Sequence, residues 1–486
     1  MTDPRLSART LARVSTSVAR PAYDRAAVRR GVVHLGIGAF HRAHGAAVFE
    51  AALNNGDLRW GITAVSLRSA GVRDQMMPQD ALYSVLVRDG TSQHVRVVGA
   101  VAEVLVAPEN PAAVVAALAH PDTRIVTLTI TEKGYRLDRA SGGLMVGDAD
   151  VAADLADLTA PRTAAGFLVA GLAARRAADL APFTVISCDN LSDNGALLRR
   201  SVVEIARAHD AALADWIARH GAFPDTMVDR IVPATTDDDI AASSERIGVE
   251  DRAMVKTEPF SQWVIEDRFA GARPDFAALG VQLTQAVAPW EATKLRLLNG
   301  AHSGIAYLGG LAGDAFVHQF VARPAGRRFV EMLWDEAQAT LDPPSGLDIA
   351  AYRAALMTRF ANAALEHRTH QIASDGSQKL PQRLIEPIRA RRAAGQPIEA
   401  LALAVAAWMR WQDGSDDAGG RFVVDDPLAD RLAAARRSTA GGVDALLDAI
   451  GADLDAEARA VIARQLRVLT DGGALPAIRR LTGTGA

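Results

Sequence analysis

The chain has 486 residues, 49% apolar and 23% charged, with a formal net charge of −4 and a single cysteine, Cys188. This balance excludes a disordered chain and offers no electrostatic pull toward nucleic acid or an anionic membrane. One cysteine excludes an internal disulfide framework and fits a reducing, cytoplasmic setting.

The length calls for two domains. The basic N-terminal stretch has no apolar run behind it, so no secretory signal is expected. No run of about 18 uncharged apolar residues reads as a membrane span. Residues 31–35 (GVVHL) predict a first strand ending in a glycine turn, and residues 44–53 a helix. Residues 62–67, 124–131 and 183–187 predict three more strands, with a helix over 164–178 before the last. Apolar strands alternating with helices imply a mainly parallel sheet covered on both faces. From about Pro289 the period changes, and helices are predicted over 292–311, 327–341, 349–365, 401–410 and 456–469. The expected fold is therefore α/β. A Rossmann-type dinucleotide-binding domain spans 1–285, and a mostly helical, substrate-binding and catalytic domain spans 286–486.

Gly36-Ile37-Gly38-Ala39-Phe40 follows the first strand and opens a helix. The first glycine permits a sharp turn and the second lets backbone approach a pyrophosphate. His41 stands where the usual third glycine would be, so the pattern alone leaves a dinucleotide loop and an ordinary tight turn both open. No acidic residue closes the second strand. Arg68 stands just after it, either meeting a 2′-phosphate or adenine or simply solvated. NAD is the expected cofactor, with NADP left open.

Lys294, Asn299 and His302 lie on a predicted helix. At 3.6 residues per turn Asn299 is about 140° and His302 about 80° round from Lys294, so all three share one broad face. Leu298 and Ile305 fall on the same arc and predict that it is buried. A buried lysine loses charge and becomes a usable base for a hydroxyl proton, and an amide can stabilise a developing alkoxide. Asn299 is one such amide; Asn190, after the strand at 183–187, is another. Spacing alone leaves open a snorkelling lysine beside a structural N-x-x-H pair. His41-x-x-His44 and His367-x-x-His370 lack a third ligand, so no metal site is expected.

Taken in order, GIGAFHRAH, TITEKGY, SCDN, FPxxMVDRIVP, EPFSQWVIED, TKLRLLNGAHS and DGSQKLPQR resemble the polyol-specific long-chain dehydrogenase/reductase family, also called the mannitol dehydrogenase family. The resemblance runs from about residue 20 to about 430. It implies metal-independent hydride transfer, with Lys294 as general base, Asn299 as oxyanion stabiliser and His302 as partner of a substrate hydroxyl. It further implies Asn190 as second oxyanion donor, Glu132 as an aid to proton exit, and Asp229 beside nicotinamide and substrate. HRTHQIASDGSQKLPQRL and DDAGGRFVVDDPLA look most like the fructuronate reductases (D-mannonate oxidoreductases) of that family. Such a substrate carries a carboxylate, which needs a cation, preferably a forked arginine. Lys379 is the expected contact, with Arg368, Arg383 and Arg296 as further candidates. The chain departs from the family pattern at Gly45, Ala363, His370 and Ser374. The expected partner is a small sugar acid or polyol, and the expected state a monomer or weak oligomer. A neutral polyol dehydrogenase and a non-catalytic dinucleotide sensor are the alternatives.

Overall fold

Four short runs rich in β-branched residues form the heart of the first sheet, and every strand can be placed in chain order. β1 is Val32–Leu35, β2 Ile62–Ser66, β3 Tyr83–Asp89, β4 Ser92–Val98, β5 Val101–Val106, β6 Ile125–Leu128 and β7 Thr184–Ser187. β8 is Thr226–Asp229, β9 Val255–Thr257, β10 Gln262–Glu266 and β11 Gln282–Thr284. This computed structural model describes residues 4–90, 92–138, 142–438 and 442–484.

β1, β2, β5, β6 and β7 make one parallel sheet in the order β5-β2-β1-β6-β7. All residues of β1, β6 and β7 are buried, as expected of strands covered on both faces. His34 is tolerated in the middle of β1 because its Nδ1 meets Thr127 Oγ1 at 2.8 Å and its Nε2 meets Thr129 Oγ1 at 3.0 Å. The order reverses between β1 and β6, the doubly wound arrangement whose crevice lies at the carboxyl ends of those strands.

Two smaller sheets, β4-β3-β9 and β11-β10-β8, complete this unit. They were not expected. β9 and β11 have three residues each, too few for alternation to register, and β4 begins with three exposed residues. Their partners lie far along the chain, so only the fold identifies them.

The chain divides into two compact units, Met1–Ala288 and Pro289–Ala486. The second unit has no strand among the described residues. Its centre is the helix Glu399–Trp411, buried continuously from Ala400 to Met409, and the helix Gly300–Leu311, buried throughout. A helix apolar all round belongs in a core. Gly310 lets the pair close up, because a Cβ there would lie 2.6 Å from the Trp411 ring. The helix expected over 349–365 stops at Ala361. Asn362 then caps a short 3-10 turn, Ala363–Leu365, by accepting from the Ala364 N–H at 3.1 Å.

Candidate functional site

In the first unit, the turn after β1 is built around Gly36. Its φ is +97°, a conformation suited to glycine, and a Cβ there would lie 2.1 Å from the Thr129 carbonyl oxygen. Thr129 Oγ1 donates to the Gly36 carbonyl at 2.7 Å, and His34 Nε2 closes on the same oxygen at 3.2 Å. The tips of β1 and β6 are thus fastened together where the strand order reverses. Above Gly38 there is open space: the atom nearest to an added Cβ is 3.9 Å away. Ala39 and Phe40 begin the next helix, while Ile37 is buried beneath the turn. An uncrowded glycine followed by the first N–H groups of a helix fits a pyrophosphate. Arg68, two residues past β2, is exposed.

His41 occupies the third-glycine position for a packing reason. Its ring stacks on His34 with centroids 3.3 Å apart and planes 8° from parallel. Burial holds the His34 pKa down to about 3 and pushes His41 well below the ordinary histidine range. Both rings are therefore neutral at neutral pH.

The loops after β6 and β7 share a carboxylate that the sequence did not single out. Thr131 has φ 62° and ψ 163°, a region almost confined to glycine and costing about 1–3 kcal/mol. Asp189 holds that backbone. It accepts from the Ile130 N–H at 3.0 Å, the Thr131 N–H at 2.9 Å and the Tyr135 hydroxyl at 2.9 Å. Burial raises the Asp189 pKa, and these three bonds oppose the shift. Glu132 opens the 3-10 turn Glu132–Tyr135 that follows, so Asp189 fixes the backbone from which Glu132 projects. Asn190 stands next to Asp189 and is exposed. The turn is tied down by Asn194, whose Nδ2 donates to the carbonyls of Asp189 at 3.1 Å and Thr226 at 2.9 Å. Asp229 ends β8, is 4% exposed and pairs in register with Gln262 of β10. Asp225 is structural: it accepts from the Gly195 N–H at 2.8 Å at the start of the helix Asn194–His209.

In the second unit, Lys294 and Asn299 do not lie on a regular α-helix. Lys294–Asn299 is a π-helical turn between the α-helices Ala288–Thr293 and Gly300–Leu311. Hydrogen bonding from i to i+5 widens the turn, and such bulges are frequent at functional sites. The angular reckoning made for 3.6 residues per turn therefore fails here. Five residues correspond to one hydrogen-bonded π-turn, which brings Asn299 nearer the direction of Lys294 than an α-helix would. Two side chains secure the turn. Trp334 Nε1 donates to the Leu297 carbonyl at 2.7 Å, and Ser303 Oγ donates to the Asn299 carbonyl at 3.1 Å.

Lys294 and His302 are each 7% exposed. Burial drives the His302 pKa well below its ordinary range, helped by His367, Arg359 and Arg383. Its Nε2 has no hydrogen-bond partner among the described residues. The rings of His302 and His367 meet edge to face at 5.1 Å, and burial lowers His367 to about 4.

A second π-turn, Pro381–Ile385, packs against the first. Arg383 belongs to it and donates from Nη1 to Ser303 Oγ at 3.2 Å, one residue from His302. Lys379, in the turn before, donates from Nζ to the Ser374 carbonyl at 2.6 Å. The other two cations are placed differently. The Arg368 guanidinium is exposed over the Phe316 ring at 5.3 Å, and Arg296 is bound to the Thr340 carbonyl and, at 2.9 Å, to its hydroxyl. The structure thus brings Arg383 to the Lys294–His302 segment and gives Arg368 and Arg296 other partners. It adds His367, Ser303 and Trp334, which sequence spacing had no means to join to Lys294.

Comparison with known proteins bears on both units. Residues 30–278 match the mannitol dehydrogenase Rossmann domain and residues 286–467 the mannitol dehydrogenase C-terminal domain. A mannitol 2-dehydrogenase of Pyrenophora tritici-repentis is 44% identical over 86% of this chain and 75% of its own length. A D-mannonate oxidoreductase of Escherichia coli is 43% identical over 85% of this chain and 86% of its own. The solved structure of Pseudomonas fluorescens mannitol 2-dehydrogenase, a ternary complex with NAD and D-mannitol, is similar with a TM-score of 0.88 at 36% identity. That match covers 99% of this chain and 100% of the other. With a glycine turn at the switch point of its sheet, a buried lysine on a π-turn and both family domains matched in order, this chain belongs to the mannitol dehydrogenase family of oxidoreductases.

Proposed function

We propose that the protein interconverts D-fructuronate and D-mannonate with NAD. NAD, when bound, supplies or accepts the hydride. Gly38 and the backbone of Ala39 and Phe40 would hold its pyrophosphate, with Gly36 and Ile37 fixing the turn through their N–H bonds to the Val65 carbonyl, and Arg68 stands just past β2, where the adenosine ribose is received in such sheets.

Oxidation of a secondary alcohol removes a hydride from carbon and a proton from oxygen. Lys294 takes that proton and returns it in the reverse direction. Lys294 is buried, and an amine placed against the hydroxyl can exchange that proton. Asn299 and Asn190 donate hydrogen bonds to the oxygen as negative charge grows on it. His302 is neutral and its Nε2 is available to a substrate hydroxyl. Glu132 serves proton exit, and Asp229 orients the reacting end of the substrate.

The observation that carries the choice of substrate is Arg383. Its guanidinium is anchored on Ser303 beside His302, and a fork of that kind recognises a carboxylate. Lys379 supplies a second cation in the adjoining turn. The 43% identity to a D-mannonate oxidoreductase supports the same reading, whereas the mannitol 2-dehydrogenase relative supports a neutral polyol. Steady-state oxidation of NADH separates the two. D-fructuronate is expected to turn over with the higher kcat/KM; turnover of D-fructose alone would replace the uronate assignment with the neutral one.

A further inference from the structure

The first unit holds a cavity of about 860 Å³ between the helix Gly45–Asn54 and β4. None of Gly36–Phe40, Asn190 or Asp229 lines it, so it is separate from the groups assigned above. Its size falls in the range of small-molecule pockets, about 300–1,000 Å³.

Its charge is one-sided. Arg96, Arg230 and Arg246 line it together with His44 and His94, and no carboxylate does so among the described residues. Arg230 Nη1 donates to the Ala43 carbonyl at 2.5 Å and Nη2 to the Glu258 carbonyl at 2.9 Å, and the Glu258 charge also favours its guanidinium. Burial, then the neighbouring Arg96 charge, lowers its pKa to about 10. Arg96 is half-buried, and its Nε has no hydrogen-bond partner among the described residues. Arg96 repels Arg230 and the Glu258 charge only partly offsets this, so an anion in the cavity would relieve the excess positive charge. Arg246 is exposed at the rim and reaches the same cavity.

Part of the lining is apolar. Ala47, Val48 and Ala51 present one face of the helix to the cavity. Inorganic phosphate would fill only the cationic end. We propose that this cavity binds a small organic phosphomonoester, its phosphoryl group on Arg96, Arg230 and Arg246 and its carbon skeleton along the alanine and valine wall. Forked guanidinium groups match phosphoryl oxygens in geometry as well as charge.

The test is calorimetric titration of the full chain, saturated with NADH so that the dinucleotide site is filled. The probes are AMP, glucose 6-phosphate, inorganic phosphate and citrate. At least one phosphomonoester is expected to bind with one-to-one stoichiometry and a Kd below about 1 mM, more tightly than inorganic phosphate. Arg246→Glu and Arg96→Gln are each expected to weaken that binding about tenfold or more while leaving NADH affinity unchanged. Arg246 is exposed, so its variant keeps the test sound should Arg96→Gln unfold. Binding of citrate alone, tightest binding by inorganic phosphate, no heat from either monoester, or equal monoester affinity in wild type and Arg246→Glu would overturn the proposal.

Discussion

The two halves of this protein place their chemistry in opposite ways. In the first unit the candidate nucleotide turn sits at the end of a strand, and ordinary sheet geometry does the placing. Gly36 is where it is because β1 and β6 stop side by side, and Thr129 and His34 bind its carbonyl. In the second unit the candidate base sits inside a helix that has been locally rewound. Lys294 and Asn299 occupy a π-turn that needs Trp334, Ser303 and a second π-turn to hold it. The first arrangement is a property of the fold, the second of particular side chains. Substitutions should therefore act differently in the two units.

The largest effect is expected at the π-turn. Lys294→Ala should lower kcat/KM by roughly 10³-fold while the chain stays folded, because general acid–base catalysis is worth that much. Steady-state rates with circular dichroism as the folding control check it. In the sheet unit the balance should be reversed. Gly36→Ala puts a Cβ 2.1 Å from the Thr129 carbonyl at a positive φ. The backbone conformation alone should cost about 1–3 kcal/mol, read as a shift in the urea midpoint, with NADH binding weakened alongside.

Next comes the cation beside His302. Arg383→Gln should raise KM for D-fructuronate by about 10- to 100-fold, the worth of one charge-assisted hydrogen-bond pair. A neutral ketose should show little change in KM. Equal losses on both substrates would mean that Arg383 only supports the π-turn through Ser303.

The smallest effect is on pH dependence. His302 and His367 are buried with pKa values below those of the unfolded chain, near 6.5. Above pH 6.5 both states are neutral there and stability does not change. As pH falls from 6.5 toward the His367 value of about 4, the unfolded chain takes up protons first and stability is lost. His367→Asn should remove about 2 kcal/mol of that loss at pH 5. Denaturant melts at pH 7 and pH 5 would show it as a smaller drop in midpoint.

The same contrast decides what the sequence made readable. β1, β2, β6 and β7 announce themselves as β-branched runs bounded by turn residues, so the parallel sheet could be expected from them. The long helices of the second unit follow from period and from alanine and leucine content. The π-turn could not be foreseen: KLRLLNGAH has an ordinary helical pattern, and the side chains that stabilise the widened turn lie elsewhere. Leu297 meets Trp334 across 37 positions, and Ser303 meets Arg383 across 80. Asp189 was hidden for the same reason. Its task is to hold Thr131, 58 residues away, in a conformation that no propensity favours. His41 illustrates the opposite case. It spoils the glycine fingerprint on paper, yet in the fold it is a stacking partner for His34.

The most direct measurement is a crystal structure of the protein with NAD and D-mannonate bound. Lys294 Nζ should lie within hydrogen-bond reach, about 2.6–3.2 Å, of the secondary hydroxyl facing the nicotinamide, with the substrate carboxylate on Arg383 or Lys379. A hydroxyl bound by another titratable group, with Lys294 turned away from it, would contradict the account.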